Sequence, residues 1–220
     1  MICPIRFAIR YSLFTIFNSE IKLPSHFLSN SMPFSKTSQI STIIEYIEHL
    51  NPVSILDVGV GMGQYGFLTR LHLEHHNLFH IGENDITPRD RKEWRVRIDG
   101  IEGYKAYLTP VHDYCYNHIM IGDALKILPT LPDNSYELIL AIDILEHFTQ
   151  TDGVTFLSQL KRVAKKAALI STPKTFIPQD SNANPYENHR SLWEKEKLIE
   201  NDFPKILDND FCWIGVCSLC

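Results

Sequence analysis

Residues 54–66 read SILDVGVGMGQYG, and this stretch decides the fold. An apolar run ends at Asp57, glycines follow at positions 59, 61 and 63, and a helix-like segment begins behind them. A strand, a glycine turn and a helix start form the first crossover of a nucleotide-binding α/β sheet. Glycine permits the turn and the close approach of the backbone to a ligand. Backbone N–H groups at the helix start favour polar or negative ligand groups.

The flanking sequence continues this alternation of strand and helix. Apolar residues at helical spacing predict helices over residues 40–50, 64–72, 124–131 and 154–167. Apolar runs predict strands at residues 53–57, 95–101, 118–121, 137–142 and 168–171, and a late strand or hairpin at 211–219. Residues 113–117 predict a turn. The alternation predicts one α/β domain, with a Rossmann-like, doubly wound and mostly parallel sheet.

Two segments fall outside this pattern. Residues 1–31 are aromatic and carry Arg6 and Arg10, which interrupt the unbroken apolar stretch that a signal peptide requires. We expect them to be an N-terminal extension outside the core, with a targeting segment as the alternative, and the domain to span residues 32–220. Residues 73–93 are polar and predict an irregular insertion before the second strand.

Composition restricts the classes of function. The 220 residues fit one domain, and a net charge of −5 without a long Lys/Arg block opposes a nucleic-acid partner. The five cysteines are odd in number and mostly far apart, which favours reduced thiols in the cytoplasm. No apolar run reaches the roughly 20 residues of a membrane span, so we expect no transmembrane segment. No pattern indicates an oligomeric state.

Two groups of metal-ligand residues also occur. Cys212, Cys217 and Cys220 lie close in sequence, but they lack the fourth ligand that a structural zinc requires. The run HLEHHNLFH at residues 72–80 places His72 and His76 on one helix face, and it is typical of a surface helix end that leads into the insertion. The sequence therefore predicts no metal centre.

The D-x-G-x-G-x-G spacing resembles the first motif of class I S-adenosylmethionine-dependent methyltransferases. Three further stretches extend the resemblance over roughly residues 35–195: RIDGIEG at 97–103, IGDA at 121–124 and DILEH at 143–147. The last is similar to the D-x-L-E-H segment of many small-molecule methyltransferases. The resemblance implies an enzyme that transfers a methyl group from S-adenosyl-L-methionine.

The resemblance also implies roles at the first two strand ends. The loop with Gly59, Gly61 and Gly63 would carry the amino-acid end of the cofactor, and Asp57 would help to bind its ammonium group. Glu102 matches the acid that binds both ribose hydroxyls, a task for which a carboxylate suits because it accepts two hydrogen bonds. Asp99 is the second choice for this role.

Later strand ends complete the predicted cofactor site. Asp123 matches an acid that meets the adenine amino group, and Ala124 would supply a backbone N–H. Asp123 would serve equally well as a helix N-cap, and the two roles can coexist. Asp143, which begins the DILEH segment, is the last member of the predicted cofactor-binding set.

The acceptor side is expected near the fourth and fifth strand ends. His147 and His189 are candidates for a general base, since the unperturbed pKa of histidine lies near neutral pH. Glu146, Glu187 or water are the alternatives. The polar loop QDSNANPYENHRSLW at residues 179–193 resembles a substrate-side loop. The [DN]-P-P-[YF] motif of amine methylation on DNA bases is missing after the fourth strand, which favours a small-molecule acceptor.

Two alternatives remain. Gly61, Gly63 and Gly66 also spell G-x-G-x-x-G, the fingerprint of NAD(P)-dependent oxidoreductases. That fingerprint expects an acid about 20 residues further on, whereas Glu102 follows Gly61 by 41 positions (102 − 61). It also leaves Asp57 unexplained. The second alternative is a non-catalytic S-adenosylmethionine-binding or partner protein of the same fold, which no sequence feature excludes.

Overall fold

A computed structural model describes residues 35, 37–180 and 184–219. The extension predicted for residues 1–31 lies outside these ranges. Within them, no helix has both the length and the apolar character needed to cross a membrane.

The structure is built around a seven-stranded sheet. The described residues form nine strands, β1 to β9, over Ser54–Val58, Phe79–Ile81, Ile86–Pro88, Arg97–Glu102, His118–Ile121, Tyr136–Ile142, Ala164–Pro173, Lys205–Leu207 and Cys212–Ser218. The main sheet has the order β5-β4-β1-β6-β7-β9-β8, and β2 pairs with β3 in a separate hairpin. In the main sheet β9 pairs antiparallel with both β7 and β8, and the other neighbouring strands pair in parallel. The predicted mostly parallel, doubly wound α/β sheet is confirmed.

Helices cover both faces of this sheet. The described α-helices, α1 to α6, span Ile40–Leu50, Gln64–Leu73, Pro110–Cys115, Ala124–Ile127, Gln150–Val163 and Lys195–Glu200. Neighbouring residues of a strand point to opposite faces. In β1, Ile55 packs in the apolar cluster that contains α1, while Leu56 packs in the cluster that contains α5. Burial on both faces explains why the central strands are continuous apolar runs.

The strand register brings the predicted site residues to one edge. β1 lies between β4 and β6, with Ile55 opposite both Ile98 and Leu138. The chain moves outward from β1 to β4 and β5, and then returns to β6 on the other side of β1. Ligands of doubly wound sheets bind at such a switch point, outside the carboxyl ends of the strands.

The predicted boundary between the helix at residues 154–167 and the strand at residues 168–171 was wrong. The helix was expected to reach Ala167, but α5 ends at Val163 and β7 begins at Ala164. Ala164 lies opposite Tyr136 of β6, and Ala167 lies opposite Leu138. These alanines fit a helix face by spacing, but pairing with β6 places them in the sheet.

Two other predictions of local structure were wrong. The turn expected at residues 113–117 is largely helix α3, whose start is capped by Thr109 accepting from the N–H of Val111 at 3.3 Å. The Thr109-Pro110 pair is a helix-start signal that the apolar pattern did not reveal. The insertion at residues 73–93 was expected to be irregular, but it contains the exposed hairpin of β2 and β3.

Candidate cofactor and acceptor site

The glycine loop joins β1 to α2 and requires its glycines. Gly59, Gly61 and Gly63 have φ values of 81°, 53° and 86°, in the left-handed region that favours glycine. A Cβ on Gly59 would stand 2.8 Å from Cδ1 of Ile144. The spacing of the motif therefore follows from the backbone conformation of the loop and from its packing against the segment after β6.

Glu102, at the end of β4, holds the glycine loop with one carboxylate oxygen and the segment after β4 with the other. Its Oε2 accepts from the N–H of Gly61 at 3.1 Å, and its Oε1 accepts from the N–H of Tyr104 at 2.8 Å. Burial raises the pKa of Glu102, and the two N–H donors oppose this shift because they favour the ionised form. The structure thus brings the predicted ribose ligand into the glycine loop.

Asp57 lies beneath the loop and is buried. Its Oδ2 accepts from the hydroxyl of Tyr116 at 2.6 Å. Burial raises the pKa of Asp57 to about 7, an effect that the hydrogen bond from Tyr116 opposes. Sequence reasoning missed Tyr116, since nothing in the local pattern shows that its side chain reaches Asp57.

His112 is a second residue that sequence reasoning missed. Its Nδ1 accepts from the N–H of Thr109 at 2.9 Å, so its Nε2 carries the proton and donates to the carbonyl oxygen of Gly61 at 3.0 Å. Gly61 is therefore held through its N–H by Glu102 and through its carbonyl by His112. A histidine three residues after a capping threonine was the available signal.

Asp123 and Ala124 follow β5 at the same edge. The N–H of Gly122 donates to the carbonyl of Glu102 at 2.8 Å, so the ends of β4 and β5 lie side by side. Asp123 caps α4 by accepting from the N–H of Leu125 at 2.9 Å. The structure therefore shows the N-cap role that was considered alongside adenine recognition.

Asp143 follows β6 and has a φ of 51°. The hydroxyl of Ser171 donates to its Oδ1 at 2.7 Å, and the side chain of Gln39 donates to its Oδ2 at 2.6 Å. Gln39 is fully buried and was not singled out from the sequence. Both oxygens of Asp143 are thus anchored, one by β7 and one by the residue that precedes α1.

The structure brings His147 and His189 together, although they are far apart in sequence. His147 lies in a 3₁₀ helix, Leu145–His147, directly after β6, and His189 lies in the loop after β7. The centroids of the two rings are 4.8 Å apart in an edge-to-face arrangement. Glu146, which is buried, lies beside them, and one donor atom from each of the three residues lies within 4.8 Å of the others.

Burial controls the ionisation of this cluster. It lowers the pKa of His147 to about 4, with a further contribution from His189, and it also lowers the pKa of His189. Burial raises the pKa of Glu146 well above its usual value, and the nearby charge of Asp143 adds to the effect. Both imidazoles are therefore neutral at pH 7, able to accept a proton or to act as ligands.

The loop after β7 also reaches the end of β4. The ring of Tyr186 lies 3.2 Å from the position that a Cβ on Gly103 would take. Asn184 accepts from the N–H of Tyr186 at 3.1 Å and so begins the 3₁₀ helix Pro185–Glu187. The described part of this loop therefore extends from His189, beside His147, to the end of β4, where the predicted ribose ligand Glu102 lies.

Comparisons with known proteins find similarity in structure alone. No protein-family profile matches the sequence, and no curated protein matches it. A SAM-dependent methyltransferase from Archaeoglobus fulgidus is 14% identical, with a TM-score of 0.51 over 81% of this chain and 92% of its own. One from Aquifex aeolicus is 18% identical, with a TM-score of 0.50 over 84% and 94% of the two chains.

A third structure is magnesium protoporphyrin IX methyltransferase from Synechocystis with bound SAH. It is 12% identical, with a TM-score of 0.53 over 83% of this chain and 82% of its own. The chain has the class I methyltransferase fold. If only the seven strands of the main sheet are numbered, in chain order, their order across the sheet is 3-2-1-4-5-7-6. The typical dinucleotide-binding order is 3-2-1-4-5-6, so the antiparallel β9 argues against the NAD(P) alternative.

Proposed function

We propose that the protein is an enzyme that methylates a small molecule, with S-adenosyl-L-methionine as the donor. The observation that carries this proposal is the contact between Glu102 and Gly61, on a fold shared with SAM-dependent methyltransferases. When bound, the cofactor supplies an electrophilic methyl group, which passes to an acceptor lone pair while the electrons of the broken carbon–sulfur bond remain on sulfur.

The glycine loop is the proposed site for the amino-acid end of the cofactor. The three glycines of the loop, all at positive φ, carry no side chains that would separate their backbone from a ligand. Asp57 places a carboxyl group beneath the loop, and Glu102 is the proposed ribose ligand. Each of these acids already holds a protein hydrogen-bond donor, but a carboxylate can accept further bonds.

The remaining cofactor residues lie on the neighbouring strand ends. We assign Asp123 and the backbone N–H of Ala124 to the adenine, in addition to the capping role of Asp123. We assign Asp143 to the wall of the site opposite β4, because the residue that follows it, Ile144, packs against Gly59.

The acceptor is proposed to bind beside His147 and His189. A neutral imidazole can take the proton that an acceptor hydroxyl or amine loses, and such a base contributes roughly 10²- to 10⁴-fold to a rate. Loss of turnover in His147→Ala or His189→Ala, with unchanged cofactor affinity, is the expected result. Full turnover in both variants would exclude the base role.

A cytoplasmic location is part of the proposal. Among the described residues, Cys115 and Cys217 are free thiols, as expected for a protein that works under reducing conditions.

Calorimetric titration of the full chain tests the cofactor assignment. We expect S-adenosylmethionine and its demethylated product to bind, and NADH not to bind. Gly61→Val should abolish this binding, because a branched side chain disfavours a φ of 53° and blocks the loop. Tight binding of NADH alone would overturn the proposal.

Turnover is tested separately with a methyl-labelled donor and a panel of small hydroxyl and amine acceptors. Transfer of label to one acceptor class supports an enzyme. Cofactor binding without transfer to any acceptor would favour the non-catalytic alternative.

A further inference from the structure

Glu146, His147 and His189 form a cluster of metal-ligand side chains, and the sequence alone did not predict it as such. Among the residues that the structure describes, it is the one group of three with donor atoms this close, all within 4.8 Å of one another. Two segments build it: the 3₁₀ helix after β6 and the loop after β7. Their approach follows from the pairing of these two strands.

Backbone groups hold the rings of both histidines, and the backbones of Asn188, Asp143 and Glu187 all hydrogen-bond His147. Nδ1 of His147 lies 3.4 Å from the carbonyl oxygen of Asn188, and the ring of His189 hydrogen-bonds the backbone of Ile177. A ring N–H that donates to a carbonyl fixes the tautomer and leaves a lone pair on the other nitrogen. Histidines that ligate metals in proteins typically have this kind of support.

Backbone hydrogen bonds hold the loop that carries His189, both within the loop and to the 3₁₀ helix. The N–H of His189 donates to the carbonyl of Gln179 at 3.0 Å. The next two residues, Arg190 and Ser191, donate their N–H groups to the carbonyl of Glu146 at 2.8 and 3.2 Å. Since these bonds join the loop directly to the 3₁₀ helix, the three side chains are held as one unit.

The carboxyl group of Glu146 has no basic partner among the residues that the structure describes. Glu146 is buried, and its Oε2 accepts from the hydroxyl of Thr172 at 3.1 Å. Within the described ranges, neither lysine nor arginine forms an ion pair with Glu146, and Asp143 and Glu187 add negative charge nearby. A carboxyl group in such surroundings loses its proton at little cost only where a cation compensates the resulting charge.

We propose that Glu146, His147 and His189 bind one divalent transition-metal ion. Two imidazoles and one carboxylate suit Zn²⁺, Fe²⁺, Mn²⁺ or Co²⁺, whereas Mg²⁺ and Ca²⁺ prefer oxygen ligands. Tetrahedral ligands at about 2.1 Å from an ion lie about 3.4 Å from each other. Since the donor atoms lie within 4.8 Å of one another, each pair must approach by at most about 1.4 Å (4.8 − 3.4) on binding. Three protein ligands leave a coordination position open.

The open coordination position adds a specific role for the ion in the proposed methyl transfer. An acceptor oxygen bound there is activated by the ion, and both imidazoles then act as ligands in place of a general base. This role rests on the proposed function, whereas metal binding itself does not.

Titration of the chelator-treated full chain with Co²⁺ tests the site, with visible absorption and calorimetry as readouts. We expect one Co²⁺ per chain, a d–d spectrum without a thiolate-to-cobalt band, and an increase in Tm that Zn²⁺ reproduces. His189→Ala and Glu146→Gln should each weaken binding at least 10-fold while S-adenosylmethionine affinity changes less than twofold. The matched control is His72→Ala, since His72 pairs with Glu48 at 2.7 Å outside the cluster.

Three results would overturn the metal site. They are absence of Co²⁺ binding to the folded chain, a thiolate band, and loss of binding in His72→Ala but not in His189→Ala. Cofactor titration separates this test from that of the proposed function. Metal binding without S-adenosylmethionine binding leaves the site standing and refutes the methyltransferase, and the reverse result refutes the site alone.

Discussion

At the scale of single residues, Gly61 is the most constrained point of the candidate site. Its φ of 53° disfavours most side chains, Glu102 accepts from its N–H, and His112 donates to its carbonyl. Two buried side chains from different elements therefore fix one residue of the loop, through the peptide groups on both sides of it. A ligand that needs this loop in one conformation depends on both of them, although neither needs to touch the ligand for this effect.

Substitution Glu102→Gln tests this dependence. Glutamine keeps the shape but loses the charge and one acceptor, so either Gly61 or Tyr104 loses its partner. Hydrogen bonds to charged groups are worth roughly 1.5–3 kcal/mol, so the affinity for S-adenosylmethionine should fall about 10- to 100-fold by calorimetry. Glu93→Gln, in the exposed segment after the β2–β3 hairpin, is the control. An affinity within twofold of the wild type would show that Glu102 does not organise the site.

At the scale of elements, α2 and α3 are joined through Tyr116. A Cβ on Gly66 of α2 would stand 2.1 Å from Cζ of Tyr116, and one on Gly100 of β4 would stand 2.5 Å from Val60. Tyr116 is buried and also donates to Asp57, so it has no room to move. Packing against Tyr116 therefore explains why residue 66, the third glycine of the G-x-G-x-x-G pattern, is a glycine. This explanation does not depend on which cofactor binds.

Gly66→Ala should therefore destabilise the protein, although alanine favours a helix over glycine by about 1 kcal/mol. Forcing a methyl group into a packed interior costs typically 1–3 kcal/mol, and the contact here is closer than side chains tolerate. Urea unfolding measures the change. The matched variant is Gly215→Ala in β9, where the nearest atom is 3.4 Å away and little strain is expected. Equal stability of Gly66→Ala and wild type would contradict this packing account.

Element types were predicted well where the apolar pattern is long, as in β6 and α1. The pattern did not reveal α3, because its signal is a cap at Thr109 and not an apolar stripe. The pattern also extended the predicted helix beyond the end of α5, into residues that pair with β6 and therefore belong to β7. Periodicity reports which residues are buried, but it does not report which neighbour buries them.

At the scale of the whole molecule, several buried acids lie at the carboxyl edge of the sheet. Asp57, Glu102 and Glu146 are nearly inaccessible, and burial raises the pKa of each. A folded state that keeps protons on such groups becomes less stable, relative to the unfolded state, as the pH rises. The global stability of the fold is therefore linked to the charge at its ligand edge.

Asp57→Asn tests this linkage. Between the usual aspartate pKa of about 3.9 and the folded value of about 7, the unfolded chain has lost the Asp57 proton while the native state retains it. The contribution of Asp57 to the wild-type free energy of unfolding therefore falls as the pH rises through that window, by at most about 1.4 kcal/mol per pH unit. Asparagine is neutral throughout and can still accept from Tyr116.

The free energy of unfolding of Asp57→Asn, relative to wild type, should accordingly increase from pH 4.5 to pH 7 and stay level above it. Urea titrations at several pH values measure this difference. A difference that is constant across the window would show that Asp57 is ionised in the folded protein throughout.

The sequence by itself determined the α/β class, the glycine loop and the residues at each strand end, because turns and buried strands impose local demands on residue type. Only the tertiary structure decided that Tyr116 meets Asp57, that His112 holds Gly61 and that His189 joins Glu146 and His147. These contacts join residues that are distant along the chain. Their distances depend on strand order and helix packing, which no local pattern encodes.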